Sequence, residues 1–267
     1  MLDTHWRLLC DGPAGGPWNM AVDEAMARAV GEGQAPPSVR FYTWNSPTLS
    51  LGYLQRRPWG VDLGACGRRS VGLVRRITGG RAVLHTAEVT YSVVLPLHGR
   101  WRGLSVAEGY ALISRGVIAG LLRLGVTAGP GESGMERVAG REPQACFLLR
   151  GAPAILAAGR KLVGSAQRRW DRSLLQQGSL LLDFDPEIHQ AIFPRWPRAD
   201  PTAGVTSLRE LLGERPPIGD VMSALSEGFR KVFEAPGIAG DLLPAERIAA
   251  EDLARSRYGA ADWTFLR

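Results

Sequence analysis

From Ser38 to Pro96 the chain reads as a succession of short strands, and this run constrains the fold more than any other feature. Ser38 to Trp44 alternates Val39, Phe41 and Thr43 against Arg40 and Tyr42, the two-residue period of a strand. Thr48 to Tyr53 is a second strand, Val71 to Arg76 a third, and Arg81 to Leu95 holds one or two more after a Gly79-Gly80 turn. A helix precedes them over 18–30, where Val22, Met26, Ala29 and Val30 recur at helical spacing. Another follows. Ser105-x-x-Glu108 is a capping box, Val106 to Leu124 is the longest helix, and Gly125 stops it. Residues 128–144 read as a mobile loop. Ile155 to Ala158 and Lys161 to Trp170 form a hairpin about Gly159-Arg160, and Leu174 to Asp183 is one more strand. After Pro186 the texture changes: Ser207-x-x-Glu210 caps a short helix, and 218–234 and 244–257 look helical. Helix, strands around one long helix, then helices describe an α+β chain with a mixed sheet, not alternating βαβ units.

The chain has 267 residues, of which 45% are hydrophobic and 22% charged, a composition that excludes disorder. At this length about 75% of the unfolded surface can be buried, enough for one large domain with a small appendage. Three cysteines, Cys10, Cys66 and Cys146, make no disulfide framework, and four histidines show no metal-ligand spacing, so no metal is expected. Met1 to Leu9 carries Asp3, His5 and Arg7 and lacks the apolar segment of a signal peptide. No apolar run approaches the roughly 18 residues of a membrane helix. The expectation is a soluble cytoplasmic protein, off the membrane. The net charge of +6 invites a nucleic-acid reading, but lysine occurs only at Lys161 and Lys231, the arginine bias of a GC-rich genome. Residues 1–190 carry +7 and residues 191–267 carry −1. A basic face for an acidic protein partner accounts for this as well as DNA does.

Three features could carry chemistry. In Arg75-Arg76-Ile77-Thr78-Gly79-Gly80-Arg81-Ala82-Val83-Leu84-His85, two glycines between strands admit a ligand close to the backbone, and the arginines suit phosphate or carboxylate. The run is neither a P-loop nor GxGxxG, and its plain alternative is a Gly-Gly hairpin with surface arginines. Likewise the basic stretch Arg56 to Arg81 reads as a solvated face. Cys146 follows the 128–144 loop and precedes Phe147; free cysteine is most often a small buried hydrophobe. Lys161 stands in a chain almost without lysine, which suggests a role that arginine cannot fill, since only lysine can titrate. Its plain alternative is an ordinary hairpin residue. His85 reads as a satisfied structural histidine before it reads as a base.

Together these runs resemble the biotin/lipoate A/B protein ligase superfamily. The resemblance spans Asn19-Met20-Ala21-Val22-Asp23-Glu24-Ala25, the Arg75–His85 run, Glu88-Val89-Thr90-Tyr91-Ser92, Gly159-Arg160-Lys161-Leu162-Val163-Gly164-Ser165-Ala166-Gln167 and the tail from Tyr258 to Trp263. Within the superfamily, Cys146-Phe147 with a lysine fifteen positions on is similar to the octanoyltransferase branch that carries its catalytic cysteine in this loop. Two departures stand out: Thr86 where the family is usually acidic, and residues 148–153 without the usual Pro-Ser pair and aromatics. The resemblance implies a ligase-like catalytic core over 1–204 and a short C-terminal helical extension, 205–267, packed on it. It implies octanoyl transfer from acyl carrier protein through a Cys146 thioester to a lysine of a lipoyl-domain protein such as the glycine cleavage H protein. No cofactor is needed and a monomer is expected. Lys161 would lower the Cys146 pKa and orient the acyl carbonyl. Arg76, Thr78, Gly79, Gly80, Arg81, Ala82, Val83, His85, Tyr91, Gly164, Ser165 and Ala166 would bind substrate, with Val83, Tyr91 and Leu162 lining an apolar tunnel. The competing readings are an ATP-dependent lipoate or octanoate ligase on the same fold, and a non-catalytic Arg-rich nucleic-acid-binding module.

Overall fold

The computed structural model describes residues 5–55, 60–133 and 152–266, except 198, 201 and 203. Its main element is a mixed sheet of eight strands. The centre is β2 (Ser38–Trp44), β6 (Glu88–Pro96), β10 (Ser173–Leu181) and β9 (Arg160–Arg169), all paired antiparallel. Beyond β9 lie β8 (Ala152–Ala157) and then β7 (Ala128–Ser133). On the other side β1 (Trp6–Ala14) runs parallel to β2, and β11 (Gly237–Ala239) runs parallel to β1. A second sheet of three strands holds β3 (Thr48–Leu51) between β4 (Gly72–Arg75) and β5 (Val83–His85).

Alternation divides the large sheet into two faces. Val39 and Phe41 of β2 and Val89, Tyr91, Val93 and Leu95 of β6 join a core under α3 (Val106–Arg123) and α6 (Ile218–Phe233). The other face packs α1 (Gly16–Gly31) and α7 (Pro244–Leu253) over Tyr42, Trp44, Val94 and Leu175. Both faces are covered, so β2, β6 and β10 are buried almost throughout. The polar positions of β2 are therefore not solvated: Arg40 is fully buried and bonds Asp11, Asp23 and Asn19. A third core joins the small sheet to α2 (Leu63–Arg68) and α4 (Pro186–Ile192).

The structure corrects several expectations. β1, β11, α2 and α4 are elements that the periodicity did not mark. Residues 128–133 are an edge strand rather than loop, with Pro130 tolerated as prolines are on edges. The rest of that segment, to 144, lies outside the described residues. The Gly79-Gly80 turn is no hairpin, because β4 and β5 each pair with β3 and not with each other. Arg75 and Arg76 are buried, against the expected solvated face. The capping box of α3 is present, and α5 (Leu208–Leu212), α6 and α7 occur where expected, α7 running on into a π-helical turn, Ala254–Tyr258. Among the described residues no helix is long and apolar enough to cross a membrane.

Candidate active site

The α1-facing side of the large sheet carries two polar rows. One runs Tyr42, Thr90, Ser179 and Gly164 across β2, β6, β10 and β9; the next runs Arg40, Ser92, Gln177 and Ala166. On β9 the side chains shrink to nothing and to a methyl, and a cavity opens there between the two sheets. It encloses about 440 Å³, mouth included. Gly164, Ser165 and Ala166 border it, with Gln177, Gly178 and Ser179 from β10 and Tyr42, Trp44 and Thr90 beside them. Ser50, Arg76, Val83 and His85 close it from the small sheet, and Met20 closes it from α1.

The polar groups of this wall bond one another. Glu88 is buried and accepts at Oε1 from His85 Nδ1 (2.8 Å), Ser179 Oγ (2.9 Å), Trp44 Nε1 (3.2 Å) and Thr90 Oγ1. Burial alone pushes its carboxyl up, but the His85 ring and the hydrogen bonds outweigh this and hold it below the ordinary value. His85 stacks on Trp44 with centroids 4.1 Å apart, and its Nε2 lies 2.7 Å from Ser50 Oγ. Arg76 donates to Ser50 O and Oγ and to the carbonyls of Gly79 and Arg81, so it shapes the Gly-Gly loop. Thr78 Oγ1 donates to Gln177 Oε1, and Gln177 Nε2 donates to the buried Asp23. Gly52 must lack a side chain, because a Cβ there would lie 1.9 Å from the Gly80 carbonyl oxygen.

The expected binding residues divide accordingly. Arg76, Val83, His85, Gly164, Ser165 and Ala166 line the cavity. Thr78, Gly79, Gly80, Arg81 and Ala82 lie outside its lining and form the adjoining loop. Tyr91 and Leu162 are corrected, since both belong to the core on the opposite face. The Tyr91 ring crosses Gly178, where a Cβ would meet it at 2.3 Å, to bond Ser165 Oγ at 2.7 Å.

Lys161 is fully buried and is not among the lining residues. The β8–β9 register slips between Ile155 and Leu156, leaving Leu162 as an extra residue on β9. Leu162 and Val163 both enter the α3-side core, so alternation resumes with Lys161 on the face of Gly164 and Ala166. Its backbone N–H donates to Gly204 O and its carbonyl accepts from Thr206 N. Cys146 lies outside the described residues. The other two cysteines are poor nucleophiles: burial and Asp62 push the Cys66 thiol up to about 11, and burial and Asp11 raise that of Cys10. No group of three or more His, Cys, Asp or Glu that could hold a metal exists among the described residues.

Ser50, Glu88, Thr90, Gln177 and Ser179 went unrecognised in the sequence. The signal was present: Glu88, Thr90 and Ser92 alternate with Val89, Tyr91 and Val93. One polar face on a strand buried on both sides points to a site.

The family model of the lipoyl protein ligase A/B catalytic domain matches residues 16–230. The octanoyltransferase LipM of Kyrpidia tusciae is 42% identical over 273 residues, covering 98% of this chain and 99% of that one. Those of Symbiobacterium thermophilum and Bacillus subtilis are 40% and 32% identical over 279 residues, with 100% of each chain covered. Among solved structures, lipoate-protein ligase A bound with ATP aligns at a TM-score of 0.80 and 22% identity, over 98% of both chains. A bipartite lipoate protein ligase of Thermoplasma acidophilum gives 0.80 and 22%, over 99% of this chain and 98% of that one. By sequence over its whole length and by fold, the chain belongs to the lipoyl protein ligase A/B catalytic domain family.

Proposed function

We propose that this chain moves an octanoyl group from acyl carrier protein to a lysine of a lipoyl-domain protein by way of a thioester on Cys146. It is an octanoyltransferase of lipoate biosynthesis, like the relatives that match it end to end. The observation that carries the mechanism is the cavity. Its polar side chains are bonded to one another, so an incoming group meets an apolar interior. An octanoyl chain has about six methylenes, and burying them contributes about 5 kcal/mol.

Cys146 thiolate attacks the carrier thioester, and the acceptor amine then takes the acyl group as an amide. Thioester exchange is nearly neutral and amide formation runs downhill, so ATP is not needed. The raised pKa values of Cys10 and Cys66 favour Cys146 as the thiolate. A cationic Lys161 beside it would lower its pKa and face the acyl carbonyl, the role for which Lys161 is assigned here. Residues 205–267 belong to this reading as a cap on the 1–204 core, supported by the hydrogen bond that Thr206 N donates to the Lys161 carbonyl.

Intact-mass spectrometry after mixing the protein with octanoyl-acyl carrier protein, without ATP, tests the mechanism. The expected result is a hydroxylamine-labile octanoyl adduct on Cys146 that is absent from Cys146→Ala. Acyl transfer that appears only with ATP and free octanoate would make the chain a ligase and overturn the reading.

A further inference from the structure

An acceptor lysine arrives as an ammonium, with an ordinary pKa of about 10.4, and must lose a proton before its nitrogen can attack. We propose that His85 takes this proton, with Ser50 relaying it and Glu88 acting as a positioning residue. The inference rests on the thioester reading above and adds the base for its second half.

The geometry is that of a base oriented by an acid. Glu88 Oε1 accepts from Trp44, Thr90 and Ser179, so it meets the ring as an acceptor and the 2.8 Å contact places the ring proton on His85 Nδ1. Nε2 is then the free acceptor, and it faces Ser50 Oγ at 2.7 Å. The Ser50 hydroxyl donates to it and accepts from Arg76 at 3.0 Å, while Ser50 and His85 both line the cavity. The stack on Trp44, with ring planes 14° apart, fixes the ring plane. The groups that face His85 are Glu88 from β6, Ser50 from β3 with Arg76 behind it, Trp44 from β2, and Ser179 from β10, whose Oγ is 3.5 Å from Nδ1. Glu88 is the anion among them, placed to stabilise an imidazolium. Ser179 pairs with Gly164, about 10 Å along β9 from Lys161, so the base sits at the Lys161 end of the cavity.

The step balances. The amine nitrogen bonds to the thioester carbonyl carbon as the carbon–sulfur bond breaks and Cys146 leaves as thiolate. One ammonium proton passes to Ser50 as Ser50 hands its own to His85 Nε2, and the imidazolium later releases it to solvent. The second proton lost by nitrogen goes to the Cys146 sulfur.

Acylation of Cys146 needs no amine, so the two halves of the reaction separate the roles. His85→Gln and Glu88→Gln proteins are loaded with octanoyl-acyl carrier protein, and the decay of the adduct is followed by intact mass. One arm uses a lipoyl-domain acceptor. The other uses hydroxylamine, a nucleophile that is uncharged at neutral pH and needs no base. The expected result for His85→Gln is an adduct whose transfer to lysine slows at least about 100-fold relative to hydroxylamine discharge of the same adduct. Glu88→Gln, of the same shape, should shift in the same direction, and it decides the matter if His85→Gln does not fold. Wild-type transfer to lysine in these variants overturns the proposal. So does parallel loss of both discharges, which would mean that His85 only maintains the fold. A wild-type protein that never acquires the Cys146 adduct defeats the thioester reading itself, and this inference with it.

Discussion

His189 shows how a single buried ring sets a response to acid. It lies among Phe184, Phe193 and Trp196, and burial drives its pKa down to about 4, against a weaker upward pull from the Asp185 carbonyl and carboxylate. The fold therefore favours the neutral ring. Its contribution is complete above the ordinary histidine value near 6.5 and is lost as pH falls from there towards 4. Urea midpoints at pH 7 and pH 5 are expected to differ by about 2 kcal/mol of stability from this group alone, and His189→Gln should shrink the difference. An unchanged difference would remove the assignment. At this scale the sequence was most legible where a residue is rare or its motif long. Lys161 stood out by the scarcity of lysine. Glu88 and Ser50 did not, because a carboxylate and a hydroxyl acquire meaning only through the ring that the fold sets between them.

Elements were legible in proportion to the regularity of their surroundings. The α3 capping box and the β8–β9 hairpin could be read from residues alone, because their signals are local. β1 could not, since its middle bears Cys10, Asp11 and Gly12 and its strand character comes from pairing with β2 and β11. α2 is six residues long with two glycines, too short for a periodic signal. The basic stretch misled for a different reason: Arg75 and Arg76 turn inward, where backbone carbonyls such as those of Gly52, Gln55 and Gly79 take up their donors. β9 has the largest functional consequence of any element. Its bulge turns Lys161 to the site face, and Gly164 leaves the floor open. Gly164→Val is expected to fill the cavity from that side. Octanoyl loading, followed by intact mass, should fall at least about tenfold, since roughly 1.4 kcal/mol of lost chain burial suffices for that. The melting temperature should stay near wild type. Loading at full rate would mean that the chain binds elsewhere.

Over the whole molecule the last elements complete the first. Arg7 on β1 makes a bidentate pair with Glu246 on α7 at 2.7 and 2.6 Å, with the Glu246 side chain fully buried. Arg75 bonds the carbonyls of Trp263 and Thr264, and the Trp263 indole donates back to the Arg75 carbonyl. Glu246→Ala would strand a buried guanidinium, and chemical denaturation should show a loss of about 3–5 kcal/mol. A change under 1 kcal/mol would show that solvent reaches Arg7 freely. The parallel pairing of β1 with β11 also has a temporal side. A chain growing on the ribosome emits Trp6–Ala14 near the start and Gly237–Ala239 near the end. At translation speeds of 5–20 residues per second, roughly 10–45 s separate the two. Throughout that interval the Trp6–Leu8 part of the outer edge of β1 stands unpaired and Arg7 lacks its carboxylate, so the nascent protein offers other chains a stretch of strand edge that β11 later covers.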